Sequence, residues 1–122
     1  MSYSLVREVL NKKLFGMIEL IVFAMLARPT PILIDWELMA RAQTRAEYLC
    51  EHNQWSHDGW KDSFEGIAGV HGENLAKNFT SVKKAHAALM DSPTHKQNIL
   101  DPEFHSIGVG KSCGIYVQLF ST

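Results

Sequence analysis

The chain has 122 residues, enough for one compact domain and too few for two. Hydrophobic residues make up 46% and charged residues 20%, the mix of an ordinary globular protein. The formal net charge is −1 and the Lys and Arg residues are scattered, which speaks against a phosphate-tracking nucleic-acid surface.

From about Leu5 to Ala27 the sequence reads as helix, with a break expected near Gly16. The stretch "LFGMIELIVFAMLA" (Leu14 to Ala27) follows Arg7, Lys12 and Lys13. A basic region before an apolar stretch is also the pattern of a leader, but no small-residue cleavage pattern follows, because Arg28-Pro29 interrupts. The stretch is too short to span a bilayer and Glu19 interrupts it. The expectation is a helix of the folded domain, with residues 1–28 forming an N-terminal apolar segment and 29–122 the main domain. "RPTP" then acts as a linker, since its prolines exclude helix continuation.

Asp35 caps a second helix to about His52, with Leu38, Ala42, Ala46 and Leu49 on one face. Arg41, Arg45 and Glu47 are assigned elsewhere on the wheel. "NQWSHDGW" is a turn-rich loop. Lys61 to Val70 is loop or short helix, and "HGENLA" starts at a glycine-flanked bend. Thr80 or Ser81 caps a third helix to about Met90. Ser92 caps and Pro93 opens a short fourth helix, ended by Asp101-Pro102. "SIGVGKSCGIYVQLF" reads as a β-hairpin, with Ile107 and Val109 in one arm, Lys111 to Gly114 in the turn and Ile115 to Phe120 in the other arm. Helices with a small antiparallel hairpin give an α+β domain. Cys50 and Cys113 are either a single bridge closing a long loop or two small buried hydrophobes, and free thiols are expected.

The fourth helix raises a chemical question. His95 falls in its first turn, where the helix dipole disfavours a positive charge. A site needing a neutral imidazole, as metal ligand or proton acceptor, gains from that placement. Three polar clusters stand out: Trp55-Ser56-His57-Asp58-Gly59, Gly72-Glu73-Asn74-Leu75-Ala76, and Ser92-Pro93-Thr94-His95 with Asn98.

The order W-S-H-D-G, G-E-N-L-A, S-P-x-H-x-x-N-I-L, I-G-V-G and Y-V-Q-x-F resembles the CAP superfamily of cysteine-rich secretory, antigen 5 and pathogenesis-related proteins, most of all its short bacterial SCP form. The resemblance covers roughly Pro31 to Phe120. It implies an α-β-α sandwich around a three-stranded antiparallel sheet, and a central cleft lined by two histidines and two acids. By motif, His57 is the first histidine, Glu73 the acid of G-E-N-L-A and His95 the second histidine. In several members such a histidine pair binds a divalent metal, typically zinc. The chain departs from the fuller pattern where a second glutamate would stand three residues after a Trp. Asp91 is the nearest acid there and a candidate for the cleft lining. The apolar "IVFAMLAR" also replaces the Asn and Arg that usually end the first helix.

Two imidazoles and a carboxylate suit an open zinc site that keeps water in its shell. In an alternative reading, Glu73 orients a histidine through its other ring nitrogen, or caps the loop. His57 is alternatively a loop residue satisfied by Asp58. Asn74 and Asn98 are read as structural, bonding loop backbone, and Asn74 is also a candidate for the cleft lining. Trp55 and Trp60 line the cleft or belong to the core. His71 is a further cleft candidate, whereas His86, next to Lys83 and Lys84, is expected in solvent.

The leading functional reading is a binding module for a lipid, an envelope component or a protein partner, extracellular or envelope-associated by resemblance, with His57 and His95 as metal ligands. The alternatives are a metal-dependent hydrolase using His57, Glu73 and His95, and a structural module with a relic cleft. Nucleic acid and a transmembrane span are not expected.

Overall fold

The computed structural model describes residues 3–122. Helix α1 (Tyr3–Ala27) is continuous, so the break expected at Gly16 does not occur. Met17, Leu20, Ile21 and Ala24 bury one side of it at helical spacing, while Phe15, Val22 and Leu26 stay exposed on the other. Met1 and Ser2, part of the N-terminal segment 1–28, lie outside the described residues. Among the described residues no helix is long and apolar enough to cross a membrane. The linker is pinned by Arg28, a buried guanidinium that donates to the carbonyls of Ile99 (2.7 Å), Asp101 (2.9 Å) and Phe104 (2.7 Å). Those carbonyls lie at and beyond the end of α4 (Pro93–Leu100), where helix acceptors lack an internal partner.

Helix α2 (Trp36–Glu51) starts at Asp35, whose carboxylate accepts from the backbone N–H of Glu37 and Leu38. A short 3-10 turn at Trp60–Phe64 follows the polar loop. Helix α3 (Val82–Asp91) is capped by Ser81, which accepts from Lys84 N–H. The sheet has the order β1-β3-β4-β2, with β1 Leu33–Ile34, β2 His71–Lys77, β3 Ser106–Ser112 and β4 Ile115–Ser121. The β3–β4 and β4–β2 pairs are antiparallel, and β1 joins β3 in parallel. The two-residue strand β1 adds a fourth member to the three-stranded sheet that the resemblance implies. The hairpin turn is also tighter than the sequence reading: only Cys113 and Gly114 stand between the arms.

Alternation along β4 builds two cores. Ile115, Val117 and Leu119 face α2, with Leu38, Ala42, Ala46 and Leu49. Tyr116 and Phe120 face α1, α3 and α4, with Leu20, Ile21, Leu89 and Ile99. This is a three-layer α-β-α, α+β arrangement. The I-G-V-G block has a steric reason. A Cβ on Gly108 would run into the backbone of Leu38 and Met39, and one on Gly110 into that of Ala42 and Gln43. Glycine therefore lets α2 lie directly on β3. Beyond β1 the free edge of β3 is sealed by α2 side chains. Val109 N–H donates to Met39 Sδ at 3.2 Å, and the Gln43 amide exchanges two hydrogen bonds with the Lys111 backbone.

Because α2 lies on β3, its C-terminal end meets the β3–β4 turn. Cys50 and Cys113 stand there with Cα atoms 5.6 Å apart and form a disulfide. The free thiols expected from the sequence are thus replaced by a bridge, and no free cysteine remains among the described residues.

Candidate functional site

The candidate site lies at the outer edge of β2, where the polar loop, α2 and α4 converge. Glu73 points from β2 toward α2, with its side chain only 1% exposed. Burying a carboxylate without a partner would be very costly. The partner is Arg45 of α2, whose side chain is 4% exposed. Its Nε donates to Glu73 Oε2 at 2.9 Å, and its Nη2 approaches Oε1 at 3.4 Å and the Ser56 carbonyl at 3.3 Å. The assignment of Arg45 to the polar side of the α2 wheel is therefore corrected. Arg45 stands seven residues after Leu38 and four before Leu49, so the 3.6-residue period places it inside the apolar stripe. That spacing was the available signal. A guanidinium within an Ala/Leu stripe announces a buried anionic partner.

His57 Nδ1 lies 2.9 Å from Glu73 Oε1. An ion-paired carboxylate only accepts, so Nδ1 carries the proton and Nε2 is left with a lone pair. The His57 side chain is 53% exposed, which puts that lone pair within reach of solutes. Asp58 does not satisfy His57: its backbone bonds run to the side chains of Ser56 and Gln54.

His95 is half-buried near the start of α4. Its pKa is pushed below the ordinary imidazole value of 6.5, first by burial and second by repulsion from nearby His57 when both rings take up protons. The cause differs from the helix dipole invoked on sequence, while the direction is the same. Asn74 ties this helix to the sheet. Its Nδ2 donates to the His95 carbonyl and to Gln118 Oε1, each at 3.1 Å, and its Oδ1 accepts from Asn98 Nδ2 at 2.9 Å. Asn98 Nδ2 also reaches the Glu73 carbonyl at 3.3 Å. Both asparagines thus bond backbone, of α4 and of β2, and hold the two sides of the site together.

The remaining candidates separate. Trp55 is half-exposed under Lys77, whose Nζ is 5.5 Å from the ring centroid. Trp60 packs edge-on against Phe64. His71 stacks on Phe64 with ring centroids 4.2 Å apart, and its Nε2 is buried without a hydrogen-bond partner among the described residues. Asp91 is exposed at the end of α3 and forms no ion pair among the described residues. His86, expected in solvent, instead stacks on Phe23 with its Nδ1 buried and unpaired, and burial lowers its pKa. The α1–α3 packing turns that face of α3 inward.

Among the described residues, no three His, Cys, Asp or Glu side chains are grouped so as to hold a metal ion. Glu73 itself is committed to Arg45 and His57.

The model of the cysteine-rich secretory protein (CAP) family matches residues 28–119. The chain is 31% identical over 100 residues to YkwD of Bacillus subtilis (strain 168), covering 74% of this chain and 39% of that protein. It thus spans about two-fifths of the length of this curated relative. Among solved structures it resembles an extracellular SCP-domain protein of Bacillus anthracis (TM-score 0.70, 26% identity, 75% of this chain and 34% of that one). It also resembles an outer surface protein of Borrelia burgdorferi (TM-score 0.68, 21% identity, 76% and 78% covered), a likeness of fold.

Proposed function

The chain belongs to the CAP family of cysteine-rich secretory proteins, and on that premise we propose that it is a binding module of the cell exterior or envelope whose ligand-contacting point is the His57/His95 pair. The observation carrying this reading is the state of Glu73. Its carboxylate is buried and engaged by both Arg45 and His57. A general base must be free to take a proton from the reacting group, and Glu73 has no such freedom. The hydrolase reading therefore lacks its carboxylate, whereas a binding reading needs only the outward Nε2 of His57 and the ring of His95. The descriptions of the Bacillus anthracis and Borrelia burgdorferi proteins as extracellular and outer-surface support the location.

The donor set fits a weakly held divalent ion. His57 donates its Nδ1–H to a carboxylate, the arrangement that fixes tautomer and ring orientation in metal-ligating histidines. Zinc or a similar ion would be held by His57 Nε2 and a ring nitrogen of His95, with water filling the shell. When bound it would supply a Lewis-acidic contact for an electron-rich ligand atom. Two protein ligands hold an ion far less tightly than the four of a structural site.

Calorimetric zinc titration tests this reading. Saturable binding at about pH 7.5 that falls at about pH 5.5, as protons compete for the imidazole lone pairs, is the expected result. His57→Ala and His95→Ala should each remove most of it, His86→Ala none, and Glu73→Gln roughly 10- to 100-fold. Zinc-dependent ester or peptide hydrolysis abolished by Glu73→Gln would replace the binding reading with the hydrolase one.

A further inference from the structure

Beside Arg45, between α2 and the 3-10 turn, the protein has a cavity of about 290 Å³ that includes Thr44, Arg45, Tyr48, Asp58 and Asp62 in its lining. Neither His57 nor His95 lines it. We propose that this cavity binds the amino terminus of a peptide, with the ammonium group between Asp58 and Asp62 and the first carbonyl oxygen on Arg45 Nη1.

Arg45 makes the floor selective. Its side chain is more than nine-tenths buried, and Nε and Nη2 are used by Glu73 and Ser56. Nη1 has no hydrogen-bond partner among the described residues. It lies 3.9 Å from the point a Cβ on Gly59 would occupy, and Asp62 Oδ2 lies 3.9 Å from that same point. A donor and an acceptor therefore flank one small space beside Gly59, whose backbone is in the left-handed region (φ 78°).

Charge then decides the ligand. Arg41 is paired with Glu37 and Arg45 with Glu73, whereas Asp58 and Asp62 form no ion pair among the described residues. The cavity carries two uncompensated carboxylates and calls for a cationic donor. The acceptor half must be neutral. A ligand carboxylate would bring a further negative charge beside Asp58, Asp62 and Glu73, while an amide carbonyl accepts from Nη1 without that repulsion. An ammonium and an amide carbonyl on adjacent carbons are the head of a peptide chain. The volume is at the small end for ligand pockets, which suits a head group with the rest of the chain outside. Tyr48, its ring stacked on His52 with centroids 3.9 Å apart, forms a firm wall.

The test is an amide-detected NMR titration with glycylglycinamide, compared with N-acetylglycinamide, which lacks the ammonium, and with glycine, which carries the carboxylate. Saturable shifts at Thr44, Tyr48, Gly59 and Asp62 are expected with glycylglycinamide and not with the other two. Asp58→Asn and Asp62→Asn should each weaken binding about tenfold or more, the loss of one charge-assisted contact. Both carboxylates are exposed and unpaired, so these variants keep the wild-type unfolding midpoint. No saturable shift, equal binding of the acetylated probe, or affinity unchanged in both Asn variants would overturn the proposal.

Discussion

Replacing Arg45 with Met should cost far more than removing an ordinary surface arginine. The Arg45 and Glu73 side chains are 4% and 1% exposed and meet at 2.9 Å. Met keeps much of the buried stem and removes the guanidinium with its charge and its donors to Glu73 and Ser56. What remains is a buried carboxylate with one hydrogen bond, from His57. Breaking a buried pair by removing one partner costs about 3–5 kcal/mol, because the other charge is left uncompensated. A domain has about 5–15 kcal/mol in total. For a chain of this size the unfolding midpoint should therefore fall by roughly 10–20 °C. Urea and thermal unfolding followed by circular dichroism measure it. The double variant Arg45→Met/Glu73→Leu should recover much of the loss, since no buried charge is left behind, and this non-additivity is the signature of a coupled pair. A single-variant loss below about 1 kcal/mol, the size of an exposed ion pair, would refute the reasoning and free Glu73 for acid–base work.

Two further outcomes follow from the same structure. Opening the Cys50–Cys113 bridge, which spans 63 residues of sequence, should cost up to about 4 kcal/mol through the entropy of the unfolded chain; a Cys50→Ala/Cys113→Ala variant as stable as the wild type, or two thiols titrating in the native oxidised protein, would contradict the bridge. Burial lowers the pKa of His86 below 6.5 in the folded protein, so below about pH 6.5 the unfolded chain takes up a proton that the folded one refuses, and stability declines as pH falls through that window. His86→Leu should reduce the drop in midpoint between about pH 7.5 and pH 5.5, and an undiminished drop would contradict the burial.

The fold was legible wherever local chemistry decides it. Asp35 and Ser81 cap their helices as their side chains allow, and the β3–β4 hairpin follows from alternation. Strand β2 was not legible as a strand, because G-E-N-L-A carries no period of two in hydrophobicity: Glu73 and Asn74 are both buried, on opposite faces. Strand β1 is two residues long and exists only because β3 is beside it. The disulfide depends on α2 crossing β3, a contact between residues far apart in sequence. At the site, residue types marked His57, Glu73 and His95, but their relation depended on Arg45, hidden in a stripe that otherwise reads as plain core.

Arg45 also changes what the cleft chemistry can be. Two histidines and an acid, taken as residue types, look like a reactive set. The guanidinium converts the acid into a fixed support: Glu73 sets the His57 tautomer, and its charge is matched from the α2 side before any ligand arrives. Of the His57 and Arg45 nitrogens, those left without a partner among the described residues are then His57 Nε2 and Arg45 Nη1. In the binding reading proposed above, the first would suit an electron-poor partner and the second an electron-rich one. A site that spends its buried carboxylate on orientation gains rigidity in the first group at the expense of a base. Under the proposed binding reading that rigidity would serve to hold a ligand in one pose, and the Arg45–Glu73 pair supports both His57 and the Arg45 cavity.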